Sequence, residues 1–226
     1  MTRLRILKYI INPVLFLTIH MAKAQTSDTV PGQPHRLTIG AGYDIGKKMW
    51  SRFQHGNIDE IHLNFSRDNH SLSIFYGVEN MPYATNRYRF QSTGRYFKIE
   101  YAYNFFENWG NMHNEINVGL RYAKSHFDYH IIEIQIINPR NPSEELTYYP
   151  RITLPNLHAQ WLELTANIKV EILPRLYVEL YISGKRFLSG TKPENFDLIY
   201  IPGFYQTNIS GFGFGLGYGI AYHFGL

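Results

Sequence analysis

From Gly211 to Phe224 a large apolar residue alternates without a break with Gly, Ala or His. Phe212, Phe214, Leu216, Tyr218, Ile220, Tyr222 and Phe224 form one face; Gly211, Gly213, Gly215, Gly217, Gly219, Ala221 and His223 form the other. A period of two held over fourteen residues specifies a β-strand, and a longer one than most globular strands. At a rise of roughly 3.3 Å per residue and a tilt of about 45°, Phe212 to Phe224 covers about 28 Å, close to the height of the apolar band on a membrane barrel.

The N-terminus points to the same compartment. Arg3, Arg5 and Lys8 precede an apolar run from Tyr9 to Met21 that closes with Ala22-Lys23-Ala24 and Gln25, the pattern of a secretory signal with an Ala-x-Ala cleavage site. The run is interrupted by Pro13 and His20 and falls short of the roughly twenty residues a spanning helix needs. The expected organisation is a signal peptide over 1–24, a short periplasmic lead over 25–35 and an outer-membrane β-barrel over 36–226. The chain has no Cys, which removes a lipidated N-terminal cysteine, a disulfide framework and a thiol nucleophile. The formal charge of +4 comes from the leader: four of the 22 basic residues lie there, leaving 18 against 18 acids. A neutral chain without a basic stripe has no electrostatic basis for binding nucleic acid.

Period-two runs bounded by turn residues predict eight strands, near 36–45, 58–67, 71–79, 88–105, 114–136, 158–173, 176–188 and 210–224. The connections at 68–70 and 174–175 are tight and 106–113 is modest, whereas 46–57, 80–87, 137–157 and 189–209 are long. Alternating short and long connections mark an all-β, eight-stranded antiparallel up-and-down barrel with short periplasmic turns and long external loops. With Phe212 to Phe224 facing outward, parity sends Ile61, Leu63, Leu72, Ile74, Phe97, Ile99, Val118, Leu120, Leu162, Leu164, Val178 and Leu180 outward too. The opposite parity carries charge: Glu60, His62, Lys98, Glu100, Glu115, Arg121, Glu163, Lys169, Glu171, Glu179 and Lys185 are expected to form a polar core in which both signs pair. A soluble lipocalin-like barrel is the rival fold, but it would show the glycine face to water. Glycine facing inward instead leaves room for long side chains crossing a narrow lumen.

Function is less legible. Eight strands leave an interior just wide enough for side chains, which argues against a diffusion pore. His126, Asp128 and His130 share one face of the fifth strand, but i and i+4 on a strand lie about 13 Å apart, too far for one metal. Ser125 beside His126 raises a hydrolase or acyltransferase, yet adjacent strand residues point to opposite faces and cannot pair. The Gly-x-Gly repeats keep a strand period and lack the strand-to-helix setting of a phosphate loop. No catalytic residue, metal or cofactor is therefore expected. The remaining candidate is the loop from Ser189 to Ile209, where Lys192, Glu194, Phe196, Asp197, Tyr200, Phe204 and Tyr205 combine charges and aromatics in the manner of a contact surface. The same aromatics could instead fold down and cap the barrel mouth. A second candidate runs from Asn138 to Asn156, with rim aromatics Tyr148 and Tyr149.

Glu107-Asn108-Trp109, Val118-Gly119-Leu120-Arg121-Tyr122, Trp161-Leu162-Glu163 and, above all, Lys192-Pro193-Glu194-Asn195-Phe196-Asp197 running into Tyr200-Ile201-Pro202-Gly203-Phe204 resemble an uncharacterised family of small outer-membrane β-barrel proteins of Bacteroidota. The resemblance spans nearly the whole mature chain and implies an address and an architecture, with no activity to carry over. The C-terminus departs from the commoner outer-membrane ending, because Gly225 and Leu226 follow the last aromatic, Phe224. The expected role is a non-enzymatic surface scaffold in contact with outer-membrane lipid, with the assembly machinery during biogenesis, and with an envelope protein or glycolipid partner. The alternatives are a lipid-modifying enzyme and a narrow transporter of small apolar ligands.

Overall fold

The computed structural model describes residues 37–84, 88–106, 113–137, 145–149, 151–191, 198–206 and 211–225. The expected signal peptide and periplasmic lead lie outside them. The elements are β1 (Leu37–Asp44), α1 (Ile45–Phe53), β2 (Asn57–Arg67), β3 (His70–Ala84), β4 (Tyr88–Asn104), β5 (Glu115–Ile137), β6 (Glu145–Tyr148), β7 (Ile152–Leu173), β8 (Leu176–Gly190), β9 (Tyr200–Ile201), β10 (Tyr205–Gln206) and β11 (Phe212–Gly225).

Eight strands, β1, β2, β3, β4, β5, β7, β8 and β11, pair antiparallel in that order, and β11 pairs back onto β1 to close a ring. The closing register runs from Thr38 opposite Gly225 to Asp44 opposite Gly219. Tight turns at Asp68 and Arg175, both with positive φ (56° and 69°), mark one end of the barrel, called here the turn end; the longer connections mark the loop end. β6 pairs only with the tip of β5, Ile134 to Ile137, as a projecting hairpin arm. β9 and β10 form a separate two-residue hairpin.

Besides the short strands β6, β9 and β10 in segments expected as loops, and the start of β7 at Ile152 rather than 158, two elements differ from the expected strand pattern. The segment read as a long loop after the first strand begins with helix α1. Asp44 caps it, accepting a hydrogen bond from Lys47 N at 2.8 Å, and Arg52 sits in its last turn. Its lumen side carries Lys47 and Ser51, both buried, while Met49, Trp50 and Phe53 are exposed on the other side. β1 stops pairing with β2 at Tyr43 opposite Ile61, and β11 with β1 at Gly219. α1 therefore occupies the wall between β2 and β11 where an extension of β1 would lie. The third strand also continues five residues past its expected end, through Pro82. β2 has already ended at Asn57 opposite Asn80, so β3 is an edge there and tolerates a residue with no N–H.

Outward side chains form an apolar belt around the ring: Leu120 is 57% exposed, Leu164 63%, Leu216 63% and Phe214 67%, and similar residues recur on every ring strand. The interior is the reverse. Glu60, Lys98, Arg121, Glu163, Lys169, Glu179 and Lys185 are all buried. Small residues on β1 and β11 leave room on the lumen side. A Cβ at Gly217 would meet the Tyr181 ring, one at Gly40 the His223 ring and one at Gly213 the Phe204 ring. The space the glycines leave is thus taken largely by rings, with Lys185 alone of the long charged chains reaching over Gly215.

Candidate functional site

The lumen is filled in layers. At mid-height, opposite charges from neighbouring strands interlock. Arg121 on β5 donates to Glu100 on β4 at 2.7–2.8 Å and to Glu163 on β7 at 3.0 Å. Lys98 bridges Glu60 at 3.3 Å and Glu163 at 3.6 Å, and Trp161 Nε1 donates to the first oxygen of Glu163, Oε1, at 2.7 Å. Lys47 reaches down from α1 to Glu60 and to Asp44 at 3.2 Å. The Arg121 guanidinium also lies 4.1 Å above the Phe75 ring. These residues span seven elements of the wall, α1, β1, β2, β3, β4, β5 and β7, so the network ties their register together across the interior.

Toward the turn end, His62 meets Glu179 at 3.2 Å, and Lys169 lies 3.6 Å from both Glu115 and Glu179. A cavity of about 20 Å³ remains here among Asn64, Ser71, Ser73, Asn117 and Asn167, space on the scale of one water molecule. One expected core member is elsewhere. Glu171 sits at the turn-end rim, accepting from Arg175 N and bonded to exposed His113, both at 2.8 Å. It keeps the inward parity, opposite Tyr177, but stands two residues beyond Lys169 where the β7–β8 ladder ends, so its carboxylate reaches the rim. The sequence reading missed Asp44, Lys47 and Glu79, all buried. Glu79 is the last residue of the expected third strand and has the inward parity of Phe75 and Gly77, so the alternation already pointed it inward. Lys47 is set by a helix and had no parity to follow.

The loop end is closed by the β9–β10 hairpin, which dips into the barrel. Tyr200, Ile201, Pro202, Gly203 and Phe204 are buried, and Tyr200, Ile201 and Phe204 join an apolar cluster with Ile58, Met81, Phe90, Tyr96, Phe127, Tyr129, Leu157 and Trp161. Two charged residues hold the hairpin by its polar atoms. Glu79 accepts from Tyr200 OH and from Gly203 N at 3.0 Å. Lys185 donates to the carbonyls of Gly203 and Phe204 at 2.9 and 3.3 Å. Tyr129 OH donates to Tyr200 O and accepts from Tyr200 N at 3.2 Å. Burial, reinforced by the Glu79 carboxylate, holds the Tyr200 phenol above its ordinary value, so it remains a donor. Gly203 has φ 81°, and a Cβ there would stand 2.7 Å from the Tyr96 ring, so the turn requires glycine.

This placement corrects the expected contact surface. Tyr200 and Phe204 are 4% and 1% exposed and form a plug; Tyr205 is half-buried and meets Trp50 edge-on at 5.9 Å. Lys192, Glu194, Phe196 and Asp197 lie outside the described residues. The aromatics that do face outward at the loop end are Tyr148 and Tyr149, 56% and 62% exposed, with Trp50 and Phe53 of α1. Ser125 points into the lumen and donates to Arg95 O at 3.4 Å, while His126 points out. Asp128 accepts from Asn156 N at 2.8 Å and His130 bonds Thr153 at 3.1 Å. Among the described residues no group of three or more His, Asp or Glu side chains is placed to hold a metal.

Among solved structures, the chain is similar to the N-terminal β-barrel domain of Pseudomonas aeruginosa OprF, at 12% identity and TM-score 0.38 over 84% of this chain and 98% of that one. It is similar to Neisserial surface protein A at 8% identity and TM-score 0.44, over 85% and 98% of the two chains. It is also similar to a major outer membrane protein from Thermus thermophilus, at 11% identity and TM-score 0.43, over 85% and 100%. No curated protein matches the chain. One family matches almost the whole sequence, residues 6–226, and the chain belongs to it: the family described as Domain of unknown function (DUF6048).

Proposed function

We propose that the chain is an outer-membrane β-barrel with a sealed lumen, acting without catalysis as a surface scaffold for an envelope protein or glycolipid partner. The observation that carries this reading is the inversion of polarity between its two faces. Outward apolar residues on every ring strand remain exposed, from Leu37 on β1 to Phe224 on β11, while charged residues fill the interior. Soluble proteins rarely leave a contiguous apolar patch of more than a few hundred Å² uncovered. A belt around the whole molecule is favourable only in an apolar medium. The paired charges and the plug support a closed lumen, and the opposite orientations of Ser125 and His126 support a role without catalysis. Exposed Tyr148, Tyr149, Trp50 and Phe53 are aromatic side chains of the kind enriched in binding surfaces. The N-terminal apolar run ending in Ala22-Lys23-Ala24 supports export by a cleaved signal, and the family resemblance supports a source in Bacteroidota.

The test is reconstitution of the mature chain into phospholipid vesicles and planar bilayers. The expected result is a heat-dependent mobility shift in a denaturing gel, protection of the belt from protease, and no steady conductance. A chain that stays soluble without detergent would sink the membrane assignment, and a steady ionic current would sink the sealed lumen.

A further inference from the structure

The outer wall carries an unbalanced group of basic residues at one height. Antiparallel pairing puts Arg95 on β4 directly opposite His126 on β5, and His126 directly opposite His158 on β7. All three side chains point outward and are exposed. Lys124, also exposed, stands two residues from His126 on the same face. Neighbouring strands lie about 4.8 Å apart, so the row spans roughly 10 Å. The acids nearby are otherwise engaged: Asp128 accepts from Asn156 N, and Glu133 pairs with Arg89 at 3.3 Å nearer the loop end. Among the described residues, no carboxylate pairs with Arg95, Lys124 or His126. His158 is fixed by Thr191 Oγ1 at 2.8 Å from its Nδ1, leaving Nε2 directed away. One strand further round, Arg186 lies over the Phe212 ring.

The height of the row matters as much as its charge. Immediately on the turn side lie Phe97, Ile99, Tyr122 and Leu162 of the apolar belt, with Tyr122 OH donating to Gln160 at 2.6 Å. On the loop side the outward residues are Thr93, Gln91, Asp128 and His130, with Ile132 beyond them. A tyrosine at the edge of an apolar belt marks the interfacial level in a membrane barrel. The cations thus stand where acyl chains give way to headgroups.

We propose that this row, Arg95, Lys124, His126 and His158, is a binding site for the phosphates of a phosphorylated glycolipid of the outer leaflet. The proposal rests on the outer-membrane reading above. Arginine offers a planar fork that matches phosphate, lysine a point charge, and the imidazoles further donors. The lipid's acyl chains lie along the belt below, and its phosphates neutralise the row. The site is on the wall over β4, β5 and β7, separate from the loops and from the plug.

The experiment uses the full mature chain in zwitterionic detergent, titrated with bis-phosphorylated lipid A and with the same lipid dephosphorylated, bound lipid being counted by native mass spectrometry. The parent should bind the phosphorylated form about tenfold more tightly, the size expected of a few exposed ion pairs acting together. R95Q/K124Q/H126Q should lose that preference, and R67Q/R175Q, at the turn end, should keep it. Equal binding of the two lipids by the parent, or a preference that survives in the triple variant, overturns the site. Displacement of the lipid by inorganic pyrophosphate at similar concentration overturns the lipid as its source. The heat-dependent mobility shift and vesicle insertion are read on the same preparations. Their absence sinks the membrane reading and the site with it; their presence without a phosphate preference sinks the site alone.

Discussion

Replacing Arg121 by Met should destabilise the barrel by about 3–5 kcal/mol, the cost of breaking a buried ion pair from one side. Arg121 is 2% exposed, and its three hydrogen-bonded contacts to Glu100 and Glu163 fall between 2.7 and 3.0 Å. Methionine keeps much of the stem packing over Phe75 and removes the charge. Glu163 would retain Lys98 at 3.6 Å and Trp161 Nε1 at 2.7 Å. Glu100 would retain the Thr165 hydroxyl at 3.0 Å. Most of the cost therefore falls on Glu100, a buried carboxylate left without a cation. The double variant E100Q/R121M should recover half or more of the loss, because replacing both members of a buried pair is often nearly neutral. Urea unfolding in detergent, followed by tryptophan fluorescence and by the gel mobility shift, measures both. If R121M lies within about 1 kcal/mol of the parent, or E100Q gives no rescue, the interior charges are solvated rather than paired.

Phe204→Ala removes a ring that packs edge-on against Trp161 at 5.6 Å and Phe187 at 6.2 Å. It should cost about 3–5 kcal/mol in unfolding and speed limited proteolysis near the hairpin. Gly203→Ala forces a side chain into φ 81° against Tyr96 and should cost about 1–3 kcal/mol, read as a lower melting temperature. Alkaline pH should release the plug. The folded Tyr200 phenol titrates above its ordinary value of 10.0, so its contribution is fully present below pH 10 and is lost as pH rises beyond it, where the folded state retains a proton the unfolded state has shed. Amide exchange at Ile201 and Phe204 between pH 8 and 12, corrected for intrinsic rates, reports it; unchanged protection contradicts it. Replacing residues 198–206 with a Gly-Ser linker should still give no steady current in planar bilayers, because the Arg121 layer lies beneath; a persistent conductance would show that the plug is the sole barrier.

The ring was legible because one physical rule, alternate residues on alternate faces, runs through all eight strands and survives in the sequence wherever pairing is regular. It failed where pairing ends. Glu171 has inward parity and keeps it, but it stands at the end of the β7–β8 ladder, where the inside is already the rim. Pro82 reads as a strand stop, yet the earlier end of β2 makes it harmless. Ile45–Phe53 has no alternation, and its one readable cue was Asp44 as a capping residue. The loop posed a different problem. Tyr200 and Phe204 have the composition of a contact surface and of a plug alike; the choice between them depends on Glu79 and Lys185, brought from two distant strands to the same hairpin.

The helix in the wall leaves the ring with a seam. Elsewhere neighbouring strands are joined by peptide ladders, but α1 satisfies its amides internally, and between β2 and β11 it is held by side chains: Lys47 to Glu60, Ser51 Oγ to Ile58 N at 3.0 Å, and Tyr218 against Met49. Parting the barrel there breaks no ladder. If the molecule ever breathes sideways into the bilayer, the least costly line of opening is this one, and the first groups it would offer to a lipid tail are the glycines of β11.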